Sequence, residues 1–138
     1  MANLEVRTEV LSESANGRPI LIDTDYTTAA DVTPIHAITQ NDVLDAVCLE
    51  VFNTNTGHNI TCSLVLSPAT TTSTTDIDAA TVSVTVPRGG SVWILQGQRF
   101  RRTSGASYTI AAYAPAAYVS DLYITGWYSR VYQPEITA

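Results

Sequence analysis

The sequence contains no lysine, and only 14% of its 138 residues are charged, whereas a typical globular domain has about 25%. All seven basic residues are arginine, which is less strongly hydrated than lysine and suits ion pairs at protein interfaces. Thr, Ser, Asn and Ala take the positions that charged residues usually fill. Such a surface has few charges to desolvate when another protein covers it, so the composition favours an assembling or binding protein.

Charge and hydropathy argue against two further classes of partner. The net charge is −6, and nucleic acid is therefore not expected, because its phosphates bind to basic surfaces. No stretch approaches the roughly 18 apolar residues of a membrane helix, so no membrane partner is expected either. The N-terminal segment MANLEVRTEV lacks the basic and apolar regions of a secretory signal, which predicts synthesis and retention in a cytoplasm.

The common motifs of enzymes and metal sites are also absent from the sequence. It has no Gly-x-Ser-x-Gly elbow, no phosphate-binding glycine loop before a helix, and no His-x-x-x-His or Cys-x-x-Cys pair. The only histidines are His36 and His58, and we interpret each as a polar strand or turn residue. We therefore predict no catalytic residue, no cofactor and no metal, and we do not expect an enzyme.

Two pairs of aspartates have a spacing that could suit calcium. Asp23 and Asp25 are separated by one residue, as are Asp76 and Asp78, so on a strand the two carboxylates of each pair would share a face. Neither pair is followed by the further oxygen ligands that a calcium loop requires. We interpret both pairs as solvated turn residues.

Short runs of alternating apolar and polar residues, cut by Gly, Pro and Ser, recur along the chain and are clearest in its C-terminal third. This pattern is typical of an antiparallel β-sandwich. We predict an all-β, jelly-roll-like sandwich of eight or nine short strands with little or no helix, formed by one domain over residues 1–138. The predicted strands cover 4–11, 35–39, 43–52, 81–86, 91–95, 108–114 and 121–132, with a further strand around 60–64. Residues 19–23 form a short apolar run, and residues 99–102 form a basic segment between two turns.

The remaining segments are expected to be turns and loops. Residues 1–12 form an N-terminal strand or arm, and the Thr-rich residues 67–80 form an exposed loop. The only segment that could hold a helical turn is 41–46. In the strand over 81–86, the alternating Val82, Val84 and Val86 are expected to face inward. Turns are predicted at 12–19, around Asn16 and Gly17, and at 87–90, 96–98 and 103–106.

The apolar pattern of residues 43–66 predicts a hairpin with a defined register. Pairing the two apolar faces leaves residues 54–57 as the loop, and a shift by one residue would set apolar against polar side chains. The same alternation places Cys48 and Cys62 on opposite faces, so we predict two free thiols. The predicted pairs are Val51 with Ile60, Leu49 with Cys62, and Val47 with Leu64.

A basic cluster and several aromatic residues are candidates for an interface. In an extended segment, Arg99 and Arg101 share one face and Phe100 lies on the other. The arginines could bind carboxylates of an acidic partner or a neighbouring subunit, or they could lie in solvent. Aromatic and arginine side chains contribute most of the contact energy at interfaces. The predicted interface residues are Trp93, Arg99, Phe100, Arg101, Trp127 and Tyr128.

The strand predicted over residues 121–132 is apolar on both faces. Tyr123 and Trp127 share one face, and Ile124 and Tyr128 share the other. Such a strand is either central in its sheet or packed against another subunit. Exposed aromatic rings also bind sugars, so a carbohydrate-binding module is an alternative of a different class.

Three segments carry a longer pattern. They are Val-x-Val-x-Val-Pro-x-Gly-Gly-Ser-Val-x-Ile-Leu at 82–95, Tyr-x-Ile-x-Ala-x-Ala-x-Ala-Ala at 108–117, and Asp-x-Tyr-Ile-Thr-Gly-Trp-Tyr-Ser-Arg-Val at 121–131. Together they resemble small β-sandwich structural proteins of tailed-phage virions.

The resemblance implies a virion structural protein, assembled in the host cytoplasm, of the capsid decoration or cement type. It implies a homo-oligomer, with a trimer favoured, that contacts the major capsid protein or another virion protein. A neck, tail or head-fibre component is the alternative within the virion. The chain lacks a long N-terminal arm rich in Gly and Pro, so residues 1–12 could instead be exchanged with a neighbour or lie on the capsid.

Overall fold

The structure is a computed structural model and describes residues 5–25, 32–38, 44–68, 82–101 and 108–132. These residues form nine β-strands and two short 3-10 turns, at Ala15–Gly17 and Ala116–Tyr118. The strands are β1 (Glu5–Val10), β2 (Ile20–Ile22), β3 (Thr33–Ile38), β4 (Leu44–Asn53), β5 (Ile60–Pro68), β6 (Val82–Val86), β7 (Ser91–Arg101), β8 (Tyr108–Tyr113) and β9 (Leu122–Tyr132).

The strands build two antiparallel sheets that pack face to face. The first sheet has the order β1-β9-β4-β7, and β2 pairs with β9 beyond the end of β1. The second sheet has the order β3-β8-β5-β6. The predicted all-β sandwich is confirmed. β9 has neighbours on both sides, which is the first of the two positions expected for the last predicted strand.

The strand pairs are nested along the chain. β1 and β2 pair with β9, β3 with β8, β4 with β7, and β5 with β6. This is one long antiparallel hairpin rolled into two sheets, which is the jelly-roll arrangement. β1 and β2 act as one edge strand, interrupted by a turn in which Asn16 and Gly17 both have positive φ, of 54° and 79°. Asn and Gly tolerate this conformation best, as the predicted turn requires.

The core lies between the two sheets. In β4, Val47, Leu49 and Val51 are fully buried, while the alternate residues face outward. From the second sheet, Ile60 and Cys62 of β5 contribute to the same cluster. The predicted inward faces of both strands are therefore confirmed, and both cysteines are free thiols, as predicted.

The predicted hairpin between β4 and β5 is wrong. β4 pairs with β7 and β9, whereas β5 pairs with β6 and β8, so the loop at 54–57 crosses from one sheet to the other. Two apolar faces can be buried either side by side in one sheet or stacked across a core. Alternation of apolar residues does not distinguish these arrangements, and here the faces stack.

The predicted turn at 96–98 is also wrong, because β7 runs without a break from Ser91 to Arg101. Gly97 has φ +83° and is an extra residue in the ladder, since Cys48 pairs with Gln96 and Val47 pairs with Gln98. A glycine with positive φ at such a point is a β-bulge rather than a turn.

Several other expectations concern segments at the limits of the strands. Residues 44–46 of the suggested helical turn belong to β4, and residues 67–68 of the predicted Thr-rich loop belong to β5. Residues 41–43, 69–80 and 103–106 lie outside the described part of the chain. Val86 is buried as predicted, but Val82 is 50% exposed, because β6 is the edge strand of the second sheet.

Candidate interaction face

The outward side of the first sheet, called the outer face below, carries most of the exposed apolar side chains. Residues directly opposite each other in antiparallel strands point to the same side; Val10 is opposite Trp127, and Glu50 is opposite Trp93. Among the described residues, six large apolar side chains are exposed, and only Val82 belongs to the second sheet. The five on the outer face are Val6 (62% exposed), Val10 (50%), Trp93 (42%), Trp127 (41%) and Phe52 (38%).

β1 contributes to this face in a way that the sequence did not reveal. Its alternating Val6 and Val10 point outward, while Glu9 lies opposite the inward-facing Tyr128. The apolar side of β1 therefore does not enter the core but extends the outer face beyond β9.

Trp93 and Trp127 form the centre of the outer face. They belong to β7 and β9, which flank β4, and their rings meet across β4 edge to face, with centroids 5.7 Å apart and planes at 77°. This is a preferred geometry for aromatic pairs. The two rings contact each other, so the face presents one apolar surface at its centre rather than two separate side chains.

Gly126 fixes the backbone beneath this pair. It lies in β9 opposite Leu49, and a Cβ at this position would overlap the carbonyl oxygen of Cys48. β4 and β9 therefore approach each other more closely here than a larger residue allows. The close approach lies directly beside Trp127 and explains why a glycine occurs within a central strand.

The outer face carries few charges. Among the described side chains of β1, β4, β7 and β9, only Glu50 and Arg99 are charged residues on this side. The Ser91 hydroxyl donates a hydrogen bond of 2.9 Å to Glu50 Oε2. Arg99 is exposed and lies opposite Ala46. Glu50 and Arg99 are thus separated by four positions of β4, about 13 Å at 3.3 Å per residue.

The six predicted interface residues divide into three groups. Trp93, Trp127 and Arg99 lie on the outer face and are exposed. The backbone of Arg101 pairs with Leu44, and its side chain lies outside the described part of the chain. Phe100 and Tyr128 point to the interior, so neither belongs to the exposed side chains of the outer face.

The side chains of Phe100 and Tyr128 lie on the inward-facing sides of their strands, β7 and β9. Phe100 is opposite the buried Asp45 and packs against the core. It also lines an apolar cavity of about 100 Å³ between the sheets, which has no convergent polar groups to orient a ligand. Tyr128 is 7% exposed, because it lies opposite the inward-facing Val47.

Tyr128 belongs to a buried polar cluster, which the sequence did not predict. His36 of β3 and Asp45 of β4 are almost fully buried, and Arg130 of β9 is 8% exposed. Arg130 donates to both Asp45 oxygens, Nε to Oδ1 at 2.6 Å and Nη2 to Oδ2 at 2.8 Å. The Tyr128 hydroxyl donates to Glu9 Oε2 at 2.8 Å. The cluster joins the two sheets, because His36 comes from the second and the others from the first.

The hydrogen bonds assign the tautomer of His36. The Ser12 backbone N–H donates to His36 Nδ1 at 3.1 Å, so Nδ1 carries no proton. Nε2 lies 3.0 Å from Asp45 Oδ2, and it must therefore be the protonated nitrogen that donates to the carboxylate. The His36 ring lies 4.2 Å from that of Tyr128, centroid to centroid.

The cluster changes the proton affinities of two groups. Burial alone would raise the pKa of the Asp45 carboxyl, but the hydrogen bonds from Arg130 and His36 outweigh it and hold that pKa below its ordinary value. Burial, together with the hydrogen bond to Glu9, raises the pKa of Tyr128 to about 12. Asp45 is therefore charged and Tyr128 neutral at neutral pH.

The arrangement of this cluster is suited to joining the two sheets rather than to catalysing a reaction. His36 is inaccessible to solvent, and Ser12 contacts it through its backbone N–H while its hydroxyl accepts a hydrogen bond from the Ala37 N–H at 2.8 Å. No hydroxyl nucleophile is therefore bonded to the histidine, as an acyl-transfer site would require. The cluster is a polar tie between sheets.

One signal in the sequence could have revealed the tie. Asp45 has the same phase as Val47 and Leu49, and Arg130 has the same phase as Ile124 and Tyr128. Two charges of opposite sign, each at a core-facing position of its strand, indicate a buried ion pair. His36 is harder to find, because a shift in the β3 register after Pro34 turns it inward.

His58 lies elsewhere, exposed near the crossing loop, with its ring centroid 5.4 Å from that of Tyr118. Within the described segments, no group of three or more His, Cys, Asp or Glu side chains is arranged to hold a metal ion. Asp23 accepts a hydrogen bond of 3.2 Å from the Thr33 hydroxyl, and Asp76 and Asp78 lie outside the described residues.

No protein family and no curated protein matches the chain. In the described segments, no helix has the length and apolar character needed to span a membrane. The outer face is therefore the feature on which a function can be argued.

Proposed function

We propose that this protein is a structural component of a tailed-phage virion, of the capsid decoration or cement type, which adds contacts between subunits through its outer face and catalyses no reaction. The observation that carries the proposal is the set of five exposed apolar side chains on one side of the first sheet, which includes the edge-to-face pair of Trp93 and Trp127. Soluble monomers rarely expose contiguous apolar patches of more than a few hundred Å².

The jelly-roll arrangement is compatible with this role but does not by itself support it, since the same fold occurs in viral capsid proteins, lectins and cupins. The low charge of the outer face is more informative. The centre of a protein interface is depleted in charged residues and enriched in aromatic residues and arginine, and the outer face has this composition.

The mechanism is stabilisation by added interface. A subunit that covers a standard interface of roughly 800 Å² per partner favours the assembled state by mass action, without any chemical step. Most of the contact energy would come from Trp93, Trp127 and Arg99, because large aromatic and arginine side chains dominate such interfaces.

Purified virions of the phage that encodes the chain provide the test. The protein should be present in them, and adding it to particles that lack it should raise the temperature at which they release DNA. The double variant Trp93→Ser and Trp127→Ser should stay folded but lose most of this effect. Val82→Ser, which removes an exposed apolar side chain from the second sheet, is the matched control. Absence of the protein from purified virions would reject the proposal.

The same experiments separate the alternatives within the virion. Antibody labelling in electron micrographs would distinguish the shell from a neck, tail or head-fibre location. The mass in solution tests the trimer that the resemblance implies.

A carbohydrate-binding module is a second candidate, favoured by one observation. The half-exposed Trp93 ring lies beside the carboxylate of Glu50 and the hydroxyl of Ser91, and an aromatic surface next to polar groups is suited to sugar binding. A glycan array tests this reading. Saturable binding that Trp93→Ser abolishes would favour it over the structural role.

A further inference from the structure

We infer that the partner of the outer face is a second copy of this chain, bound face to face about a two-fold axis. The inference rests on the proposed use of the outer face for protein contacts and names the partner. The observation that leads to it is that the charges of the face are arranged so that the face is complementary to itself.

The two charges lie on opposite sides of the apolar centre. Glu50 is level with Trp93, and Arg99 is four positions away along β4. Cys48 lies midway between these two levels, and Trp127 is directly opposite Cys48. The face is therefore acidic at one end, apolar at the middle and basic at the other end.

A two-fold axis in the plane of the contact, running across the strands at the level of Cys48, exchanges the two ends. Arg99 of each copy then lies over the level at which the partner's Glu50 and Trp93 stand side by side. A guanidinium can bind a carboxylate and also stack on an indole ring. Trp127 lies close to the axis, where the two copies would place their indole rings together.

The size of the face agrees with a specific pair. Three strands of ten or eleven residues and the six residues of β1, spaced by about 4.8 Å with about 3.3 Å per residue, cover roughly 600 Å², which is close to the roughly 800 Å² per partner of a standard interface. Face-to-face packing of sheets is also the way in which the two sheets of the monomer meet.

The described residues offer no competing partner for these charges. Glu50 accepts a hydrogen bond from Ser91, which leaves its negative charge unbalanced, and Arg99 forms no ion pair with the described part of the chain. A contact with a different protein would need no such symmetry, whereas a contact with a second copy requires it. A cyclic trimer joins two different patches, so this contact builds an even-numbered assembly instead.

Charge reversal tests the pairing, with sedimentation velocity to measure the mass in solution. The wild type should form dimers. Arg99→Glu should weaken the dimer by about 10- to 100-fold, because each of the two ion pairs becomes a repulsion, and Glu50→Arg should do the same. Arg88→Glu, an exposed arginine in the turn before β7, should leave the dimer unchanged.

The decisive arm is a mixture of the two reversed variants. In a two-fold contact, one variant presents two acids and the other two arginines, so an equimolar mixture should restore dimers that neither variant forms alone. The double variant Glu50→Arg and Arg99→Glu should also dimerise. Thermal melting confirms that each variant is folded.

Two results would overturn the pairing. One is a wild type that stays monomeric to about 100 µM, well above the micromolar Kd expected of even a modest interface; the other is a mixture of folded variants that fails to dimerise. A monomer that nevertheless binds to virions would retain the proposed function and assign the outer face to another virion protein. A dimer that is absent from virions would retain the pairing and reject the virion role.

Discussion

Asp45 shows how a single buried side chain can join three strands. Its carboxylate accepts two hydrogen bonds from Arg130 of β9 and one from His36 of β3. A buried ion pair contributes little net stability compared with apolar residues of similar size, but breaking one is costly because a buried charge loses its partner. The tie therefore specifies how the two sheets meet more than how tightly they pack.

Asp45→Asn should destabilise the protein by about 3–5 kcal/mol, because Arg130 would remain buried without this carboxylate. Urea unfolding at pH 7, followed by tryptophan fluorescence, measures the loss. Glu13→Gln, at an exposed position in the turn after β1, is the control and should change stability by less than about 0.5 kcal/mol. A similar result for both variants would contradict the role of Asp45.

The same variant should change the dependence of stability on pH. The pKa of Asp45 in the folded protein lies below its ordinary value of 3.8, so the folded state holds this proton less tightly than the unfolded state. The stabilisation that the ionised Asp45 carboxylate gives to the folded state is present in full above pH 3.8 and declines as the pH falls below that value. Between pH 5 and pH 3, Asp45→Asn should lose stability less steeply than the wild type or Glu13→Gln. Parallel curves would show that the carboxyl is not paired.

Gly126 is a second position at which one residue decides the packing. Gly126→Ala should cost about 1–3 kcal/mol, because the added Cβ overlaps the Cys48 carbonyl oxygen and forces β4 and β9 apart. Gly57→Ala is the control, since a Cβ there meets only the Asn55 side chain at an ordinary 3.5 Å. Thermal melts of the two variants test this, and equal melting temperatures would count against the close approach.

The sequence predicted the buried side of β4 and β5 from simple alternation, as Val47, Leu49 and Cys62 show. It placed Tyr128 among the interface residues, because an aromatic ring near Trp127 fits an interface as well as a core, whereas in the structure this side chain is 7% exposed. The difference depends on which strand lies opposite, and that is set by pairing over the whole chain. The sequence also did not show that Val6 and Val10 face outward, because their orientation likewise depends on which strand lies opposite.

β7 shows how one strand can be both continuous and irregular. Gly97 lies within it as a bulge, and the strand keeps Arg99 outward and Phe100 inward beyond that point. Bulges increase the local twist and discourage the pairing of an exposed edge with other chains. β7 is an edge strand of the first sheet, so the bulge protects it without shortening it.

Gly97→Val should destabilise the protein by about 1–2 kcal/mol, because a β-branched residue is strained at φ +83°. A Cβ at Gly97 would meet no atom within 4 Å, so crowding would not explain the loss. Gln96→Val places the same side chain one residue earlier, where φ is not positive; it keeps the hydrogen bond from the Gln96 N–H to Gln98 Oε1 and should have little effect. Urea midpoints of both variants distinguish backbone strain from a general intolerance of valine in β7.

The nested strand pairs join the nine described strands around a core that both sheets share, so we expect this part of the chain to unfold cooperatively. Cys62 lies within the shared core and is fully buried, and burial raises the pKa of its thiol to about 12. A thiol of this kind reacts only when it becomes exposed and ionised.

Labelling of Cys62 should therefore report unfolding of the whole protein rather than local motion. In a Cys48→Ser variant at pH 8, iodoacetamide should leave the native protein unmodified for hours and label it within minutes in 6 M urea. Rates measured at intermediate urea concentrations should follow the global stability. Rapid alkylation of the native variant would show that the two sheets open locally.

The central position of β9 has a consequence for synthesis. Its partners β1, β2 and β4 leave the ribosome long before it does. Glu5 of β1, for example, can pair with Tyr132 only after the whole of β9 has been synthesised. The complete first sheet cannot form on a nascent chain until residue 132 has emerged, and its tryptophan pair cannot form before Trp127 has emerged. Contacts this distant in sequence also make folding slow. The surface that we propose for assembly thus comes into existence only after translation has passed β9, so neighbouring nascent chains on one messenger cannot pair prematurely.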